Sequence, residues 1–296
     1  MAITFEELFD AKFLESLGHL RLVAKRVPAG GRFAEQRSRD KGPGIEFKDF
    51  RPYSSGDDLR AVDWNIYRRL GRVFIRLFEE LEDLPLYLLP DISNSAFLED
   101  VPRVRSGLRA ALALASISLS QHDSVGVFPF SDDLSVLERP RSGRGRLMSY
   151  ARHMSELEPG GATNIAQAVK RLGGMQLRPG LCVIFSDFFD PAGIEAVTQA
   201  LGKLRHRLLL VQLVKKSDRN PELSGDLQLR DCESGEVEDV SVTPHVLESY
   251  RAAYDRFEEG LTEFARRRNA GLLRLDTDQA VVPQLATLFE SGYYSV

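Results

Sequence analysis

Residues Leu181 to Val214 read LCVIFSDFFDPAGIEAVTQALGKLRHRLLLVQLV. A continuous apolar run (Leu181 to Phe185) passes into Ser186 and Asp187. A helical pattern follows from Ala192 to His206, and a second apolar run occupies Arg207 to Val214. Apolar runs of strand length without polar alternation are what strands buried on both faces require. A helix between two such runs predicts a crossover and parallel pairing. The same pattern extends outward. LPLYLL (Leu84 to Leu89) is another buried strand, and Arg105 to Ser120 is an alanine-rich buried helix. SVGVFPF (Ser124 to Phe130) and LSVL (Leu134 to Leu137) flank a DD turn and predict a hairpin. Helical patterns cover Gly145 to Leu157 and Asn164 to Leu172. A second hairpin turns at Ser234-Gly235. A long amphipathic helix runs from Pro244 to Asn269, GLLRLD (Gly271 to Asp276) is the last strand, and VVPQLATLFE a closing helix. Residues 83–296 are thus expected to form a doubly wound, mostly parallel α/β sheet covered on both faces.

Upstream, Thr4 to Val27 carries apolar residues at helical spacing, as one helix or two broken near Gly18. PAGG (Pro28 to Gly31) ends it. Gly42 to Arg69 holds too many turn residues for a long helix and reads as short strands with an exposed loop near Ser54, Ser55 and Gly56. VFIRLFEE (Val73 to Glu80) is strand-like. Residues 1–82 therefore read as an amino-terminal α+β extension.

Composition narrows the function. The chain has 296 residues, 43% hydrophobic and 28% charged, with a net charge of −4, so wholesale disorder and a basic nucleic-acid-coating role are excluded. The basic stretch from Arg21 to Lys41 has no interleaved aromatics beyond Phe33, which argues against nucleic-acid binding. No run approaches 18 apolar residues, and MAITFEELFD lacks a signal pattern. Two cysteines, Cys182 and Cys232, each within a strand-like run, exclude a disulfide framework. A cytoplasmic location is the expectation. A second basic run, from Arg139 to Arg152, includes Arg141, Arg144 and Arg146. It is a candidate docking surface, expected near the strand-end face described next.

In a doubly wound sheet, ligands bind at the carboxyl ends of strands, where strand order reverses. Asp91-Ile92-Ser93-Asn94-Ser95 follows the strand at Leu84 to Leu89, by way of Pro90. Asp187 follows the strand at Leu181, and Thr163 sits in the glycine-flanked GGATN loop. Two acids and three hydroxyls make an all-oxygen set suited to a hard divalent cation, and the lack of histidine or cysteine argues against zinc. A Mg²⁺-dependent hydrolase using Asp91 or Ser93 is the alternative. It would need an activating base, and none of the three loops holds a lysine or histidine. His19, His122, His153, His206 and His245 fall on predicted helices or turns, as surface or capping residues.

At these positions the sequence resembles two known patterns. Asp91-x-Ser93-x-Ser95, Thr163 and Asp187 resemble the metal-ion-dependent adhesion site of von Willebrand factor A domains. The segment Gly44-x-Glu46-Phe47-x-x-Phe50-Arg51-x-Tyr53-x-x-Gly56-Asp57-Asp58-x-Arg60-x-x-Asp63-Trp64 resembles the signature of the domain of unknown function 58 family. That second resemblance extends over the whole chain. It implies a von Willebrand factor A (Rossmann-like) fold and association with a MoxR-type AAA+ ATPase of bacteria. It further implies a bound Mg²⁺ (or Mn²⁺ or Ca²⁺), held by the hydroxyls directly or through water and by the acids largely through water. A partner's carboxylate would complete the coordination. The implied function is non-enzymatic: a metal-dependent adaptor between the ATPase and a client protein. Pro90 departs from the usual aliphatic residue before the acid, Ala96-Phe97 departs after Ser95, and the membrane helices of many relatives are missing. Within the signature, Glu46, Arg51, Tyr53, Gly56, Asp57, Arg60, Asp63 and Trp64 read as structural. Trp64 is expected to anchor the segment, and the acids to pair with Arg51 and Arg68.

Overall fold

Thr4 starts the first helix with a capping box: its hydroxyl accepts the Glu7 N–H at 3.3 Å while the Glu7 carboxylate accepts the Thr4 N–H at 2.8 Å. The computed structural model describes residues 3–26, 44–54, 62–81, 84–99 and 101–290. Helix α1 (Phe5–Leu8) stops at Phe9, and Asp10 restarts the chain as α2 (Ala11–Arg26) by accepting the Phe13 N–H at 2.6 Å. The expected break near Gly18 is therefore earlier, at Phe9-Asp10. Asp begins a helix more effectively than a single glycine ends one.

Leu8, Phe9, Phe13, Leu17 and Leu20 are buried in the same apolar cluster as the main sheet. Arg109 of that unit lies 4.5 Å over the Phe13 ring and bonds Asp10 at 2.9 Å. The expected division at residue 82 is corrected accordingly. One compact unit is Met1–Glu35 with Leu84–Val296, and the other is Gln36–Asp83. The apolar stripe of α2 required a partner, and the chain's linear order did not reveal which.

The smaller unit pairs β1 (Gly44–Pro52) antiparallel with β2 (Phe74–Leu81), with a bulge between Phe47 and Asp49 and α3 (Trp64–Leu70) between them. Glu46 stands opposite Glu79 and Arg51 opposite Ile75, and the Tyr53 N–H donates to the Val73 carbonyl at 2.9 Å. Asp63 is buried and caps α3, accepting from Asn65 N at 2.9 Å and Ile66 N at 3.1 Å. Trp64 is 59% exposed, its ring edge-on to Tyr67. The anchoring role expected for it is thus corrected: it is the first residue of a short, solvent-facing helix. Gly56, Asp57, Asp58 and Arg60 lie outside the described residues.

The larger unit continues through β3 (Leu86–Pro90), α4 (Arg103–Ser120), β4 (Val125–Val127), β5 (Glu138–Arg141), α5 (Leu147–Ser155) and α6 (Ile165–Gly174). After these come β6 (Leu181–Ser186), α7 (Gly193–Leu201), β7 (Arg207–Val214) and α8 (Lys216–Arg219). The hairpin β8 (Gly225–Arg230) and β9 (Val237–Val242) precedes α9 (Pro244–Arg268), β10 (Gly271–Asp276) and α10 (Val281–Glu290).

The six-stranded sheet has the order β10-β7-β6-β3-β4-β5, parallel except at the β4–β5 edge. This is the doubly wound, mostly parallel α/β architecture that the apolar runs predict. Alternate strand residues enter opposite layers. Leu86, Leu88, Val183 and Phe185 join one core beneath α2, α4, α5 and α10. Tyr87, Leu89, Cys182 and Ile184 join another beneath α6, α7 and α9. Each fully buried aliphatic side chain contributes about 1.5–3 kcal/mol, so this two-sided burial dominates the unit's stability.

The first hairpin differs from expectation. Its return strand is Glu138–Arg141, whereas Leu134 makes only an isolated bridge to Phe130 and turns its side chain into the core. The proline at position 140 argues against a strand in sequence, yet an edge strand tolerates it.

Strand order also locates a crevice. From β3 the chain moves to β4 and β5 on one side, then returns to β6 on the other and continues outward to β7 and β10. The connections leaving β3 and β6 diverge, so the carboxyl ends of these two neighbours border the switch point.

Candidate metal centre

Pro90 ends β3 without breaking the sheet: its carbonyl accepts the Phe130 N–H at 3.0 Å, and the next N–H, of Asp91, donates to the Phe185 carbonyl at 2.9 Å. Asp91 is thereby fixed between β4 and β6, and it is buried with Ser93 and Thr163. Its Oδ1 accepts the Ser93 N–H at 2.9 Å, and its Oδ2 accepts the Ser186 hydroxyl at 2.6 Å and that of Thr163 at 3.5 Å. The Ser93 and Ser95 hydroxyls are 3.0 Å apart. The threonine loop is held against this strand end by the Asn94 N–H, which donates to the Gly161 carbonyl at 2.8 Å. Gly161 has φ +91°, a backbone conformation that a side chain would strain, so glycine suits this turn of the loop.

Four of the five expected residues, Asp91, Ser93, Ser95 and Thr163, therefore lie in one contact network. Asp187 stands at its border. One oxygen accepts the Phe189 N–H at 3.0 Å and the other is 3.9 Å from the Arg103 guanidinium. The next residue, Phe188, is buried with φ +65°, its N–H donated to the Ser186 hydroxyl at 2.9 Å. This strained turn presents the acid.

Burial raises the pKa of Asp91, and burial together with the Asp91 charge pushes Asp187 up to about 7. The donor set is made of oxygen and is anionic, with the Arg103 guanidinium touching only its Asp187 border, which suits a hard divalent ion. The oxygen separations of 3.0 and 3.5 Å are near the edge of about 3 Å spanned by adjacent ligands around Mg²⁺. The residues fit such an ion, which would offset the charge of the buried Asp91 and its neighbours.

The raised pKa has a measurable sign. In the folded chain Asp187 binds its proton more tightly than an ordinary aspartate, which titrates near 3.8, so its contribution to stability is present below that pH and lost as pH rises through about 7. In chelator, Asp187→Asn is expected to gain stability relative to wild type between about pH 4 and 7. Urea midpoints across that range check this; a constant difference would refute it.

The arginine run is placed elsewhere. Arg141 stands opposite Val125, the first residue of β4, because β5 runs antiparallel and returns toward the amino ends of the strands. Arg144 donates to the Ser120 carbonyl at 3.0 Å, capping the far end of α4, and Arg146 donates to the Ser142 carbonyl at 3.0 Å. Arg141, Arg144 and Arg146 thus lie at the opposite edge of the sheet from Asp91, which corrects the expected proximity to the strand-end face.

Two smaller expectations change as well. His206 is buried, edge-on to Tyr87 at 4.9 Å, and burial lowers its pKa. Cys232 lies in the exposed turn of the second hairpin and not in a strand.

Three participants were not assigned from sequence. Ser186 directly follows an apolar strand, so position alone could have marked it. Arg103 and Glu233 reach the centre only through the fold. Arg103 forks onto Asp218 at 2.8 and 2.5 Å and onto Glu99 at 3.1 Å. Glu233 accepts the Ser95 hydroxyl at 2.8 Å from the hairpin turn.

A family model described as "Protein of unknown function DUF58" matches residues 49–260. The chain belongs to this family. Among similar proteins, the uncharacterized protein Rv1480 of Mycobacterium tuberculosis is 26% identical over 278 residues, 92% of this chain and 87% of its own. Similar solved structures include BatB from Bacteroides thetaiotaomicron, with a TM-score of 0.45 and 16% identity over 71% of this chain and 98% of that one. Another is a von Willebrand factor type A protein from Catenulispora acidiphila, with a TM-score of 0.33 and 12% identity over 48% of this chain and 36% of its own. Among the described residues of this DUF58 member, no helix is long and apolar enough to cross a membrane.

Proposed function

We propose that this DUF58 chain is a non-enzymatic, divalent-cation-dependent interaction module that links a MoxR-type AAA+ ATPase to a client protein. Ser93, Ser95 and Thr163 would hold Mg²⁺ or Mn²⁺ through their hydroxyls, with Asp91 and Asp187 supplying charge behind them. A carboxylate from the partner would complete the shell, so coordination fixes orientation while the surrounding surface sets specificity. The observation that carries this reading is the convergence of Asp91, Ser93, Ser95 and Thr163 at the switch point of the sheet. The ATPase partner comes from the family resemblance. The alternative, a Mg²⁺-dependent hydrolase with Asp91 or Ser93 as nucleophile, needs an activating lysine or histidine, and none of the three loops holds one.

The deciding experiment is retention of the MoxR-type ATPase from the same organism on immobilised chain. Retention is expected in Mg²⁺, to fall at least about tenfold on chelation, and to return with Mn²⁺. Retention that resists chelation would move the contact off the metal centre.

A further inference from the structure

The hairpin of β8 and β9 leaves nearly all of its side chains exposed on both faces. Its strands bond to each other, for example Gln228 to Asp239 at 3.0 Å and Ser241 to Asp226 at 2.5 Å. A two-stranded ribbon is marginally stable in water, so its position depends on what its turn grips. The turn is organised by Asp231, whose Oδ1 accepts from Glu233 N at 2.6 Å and Ser234 N at 3.0 Å, with Gly235 at φ +75°.

This turn delivers Glu233 to the metal centre. Its Oε1 accepts the Ser95 hydroxyl at 2.8 Å and the Thr163 hydroxyl at 3.3 Å, while Oε2 accepts the Thr163 N–H at 3.1 Å. One oxygen therefore sits beside two of the hydroxyls assigned to the cation, and the other is fixed by a backbone donor. A carboxylate ligand of a hard cation needs that division of labour. The Glu233 charge also acts on the buried Asp91 carboxylate, and a divalent ion held between them would offset that repulsion.

We propose that Glu233 is itself a ligand of the cation, so that the chain fills from its own hairpin the position left for a partner's carboxylate. The hairpin is then a built-in competitor, and an acidic residue on the partner must displace it to engage the metal. This rests on the metal reading above, and the test separates the two.

Mn²⁺ is titrated by calorimetry into the full chain, Glu233→Gln and Asp91→Asn, and hydrogen exchange of residues 225–242 is followed with and without Mn²⁺. Glu233 is half-buried in the hairpin turn and belongs to neither apolar cluster, so its substitution leaves both cores intact. Expected are Mn²⁺ binding weakened about tenfold or more in Glu233→Gln, and hairpin exchange slowed by Mn²⁺ in wild type only. If wild type and Glu233→Gln bind Mn²⁺ equally, the proposal is overturned and the metal reading stands. Weaker binding without hairpin protection would make Glu233 a charged neighbour and not a ligand, again overturning it. If wild type binds no Mn²⁺, both fall.

Discussion

Asp91→Asn is expected to abolish the thermal stabilisation that Mg²⁺ or Mn²⁺ gives to the wild type. A ligand present at a hundredfold over its dissociation constant stabilises the folded state by about 2.7 kcal/mol. For a chain of this size that is roughly 4–5 °C. Asn preserves an acceptor for the Ser186 hydroxyl or the Ser93 N–H, the two bonds that hold residue 91 in place. Burial already disfavours the Asp91 charge, so the metal-free variant is expected to melt within a few degrees of wild type. The difference between the proteins is therefore the response to cation and not the baseline. Calorimetric titration of Mg²⁺ into both provides an independent reading. An equal shift in the variant would remove Asp91 from the metal centre.

The second large effect falls on Arg103. Its guanidinium is mostly buried and lies among Asp218, Glu99 and Asp187, and these acids hold its pKa above the ordinary value despite burial. Asp218 is also committed elsewhere, accepting the Lys215 N–H at 2.8 Å at the start of α8. Removing the arginine strands at least one buried carboxylate, and such a loss typically destabilises by about 3–5 kcal/mol. Arg103→Met, which retains most of the apolar stem, is expected to lose about that much in urea unfolding. The double variant with Asp218→Asn is expected to recover a large part of it, because the stranded charge is gone. The cation response has the opposite sign. With a positive charge removed beside Asp187, Mn²⁺ is expected to bind several-fold tighter to Arg103→Met while the metal-free protein is weaker. Weaker Mn²⁺ binding would mean that Arg103 shapes the centre and does not merely oppose the cation.

Much of the fold was legible because its signal is local. Leu86 to Leu89, Leu181 to Phe185 and Leu208 to Val211 are apolar on both faces, and only a strand between two helical layers has a use for that. Asp91, Ser93, Ser95 and Thr163 were legible for a related reason: short polar stretches after such strands have few other places to go. What escaped was set by contacts distant in sequence. The Ser95–Glu233 bond spans 138 residues, and nothing in CESG distinguishes a turn that grips a site from one that merely reverses the chain. The misplacement of Arg141, Arg144 and Arg146 came from a hairpin whose return strand starts after Leu137, where sequence alone favoured Leu134 to Leu137. Moving that strand by a few residues moves the arginines to the far edge of the sheet. The exposure of Trp64 was hidden by its size, since a large aromatic residue is ordinarily assumed to be buried.

The β5 edge bears on how other chains can approach. Sheets are often joined by a visiting strand that continues the ladder, and this requires a free run of backbone donors at the rim. Here the rim is four residues long, Glu138–Arg141, with Pro140 lacking a donor and Arg139 and Arg141 exposed on either side of it. A visiting strand would find its ladder interrupted and two fixed positive charges in its path. Association by strand addition is thereby closed off at this edge of the sheet, the other edge being β10.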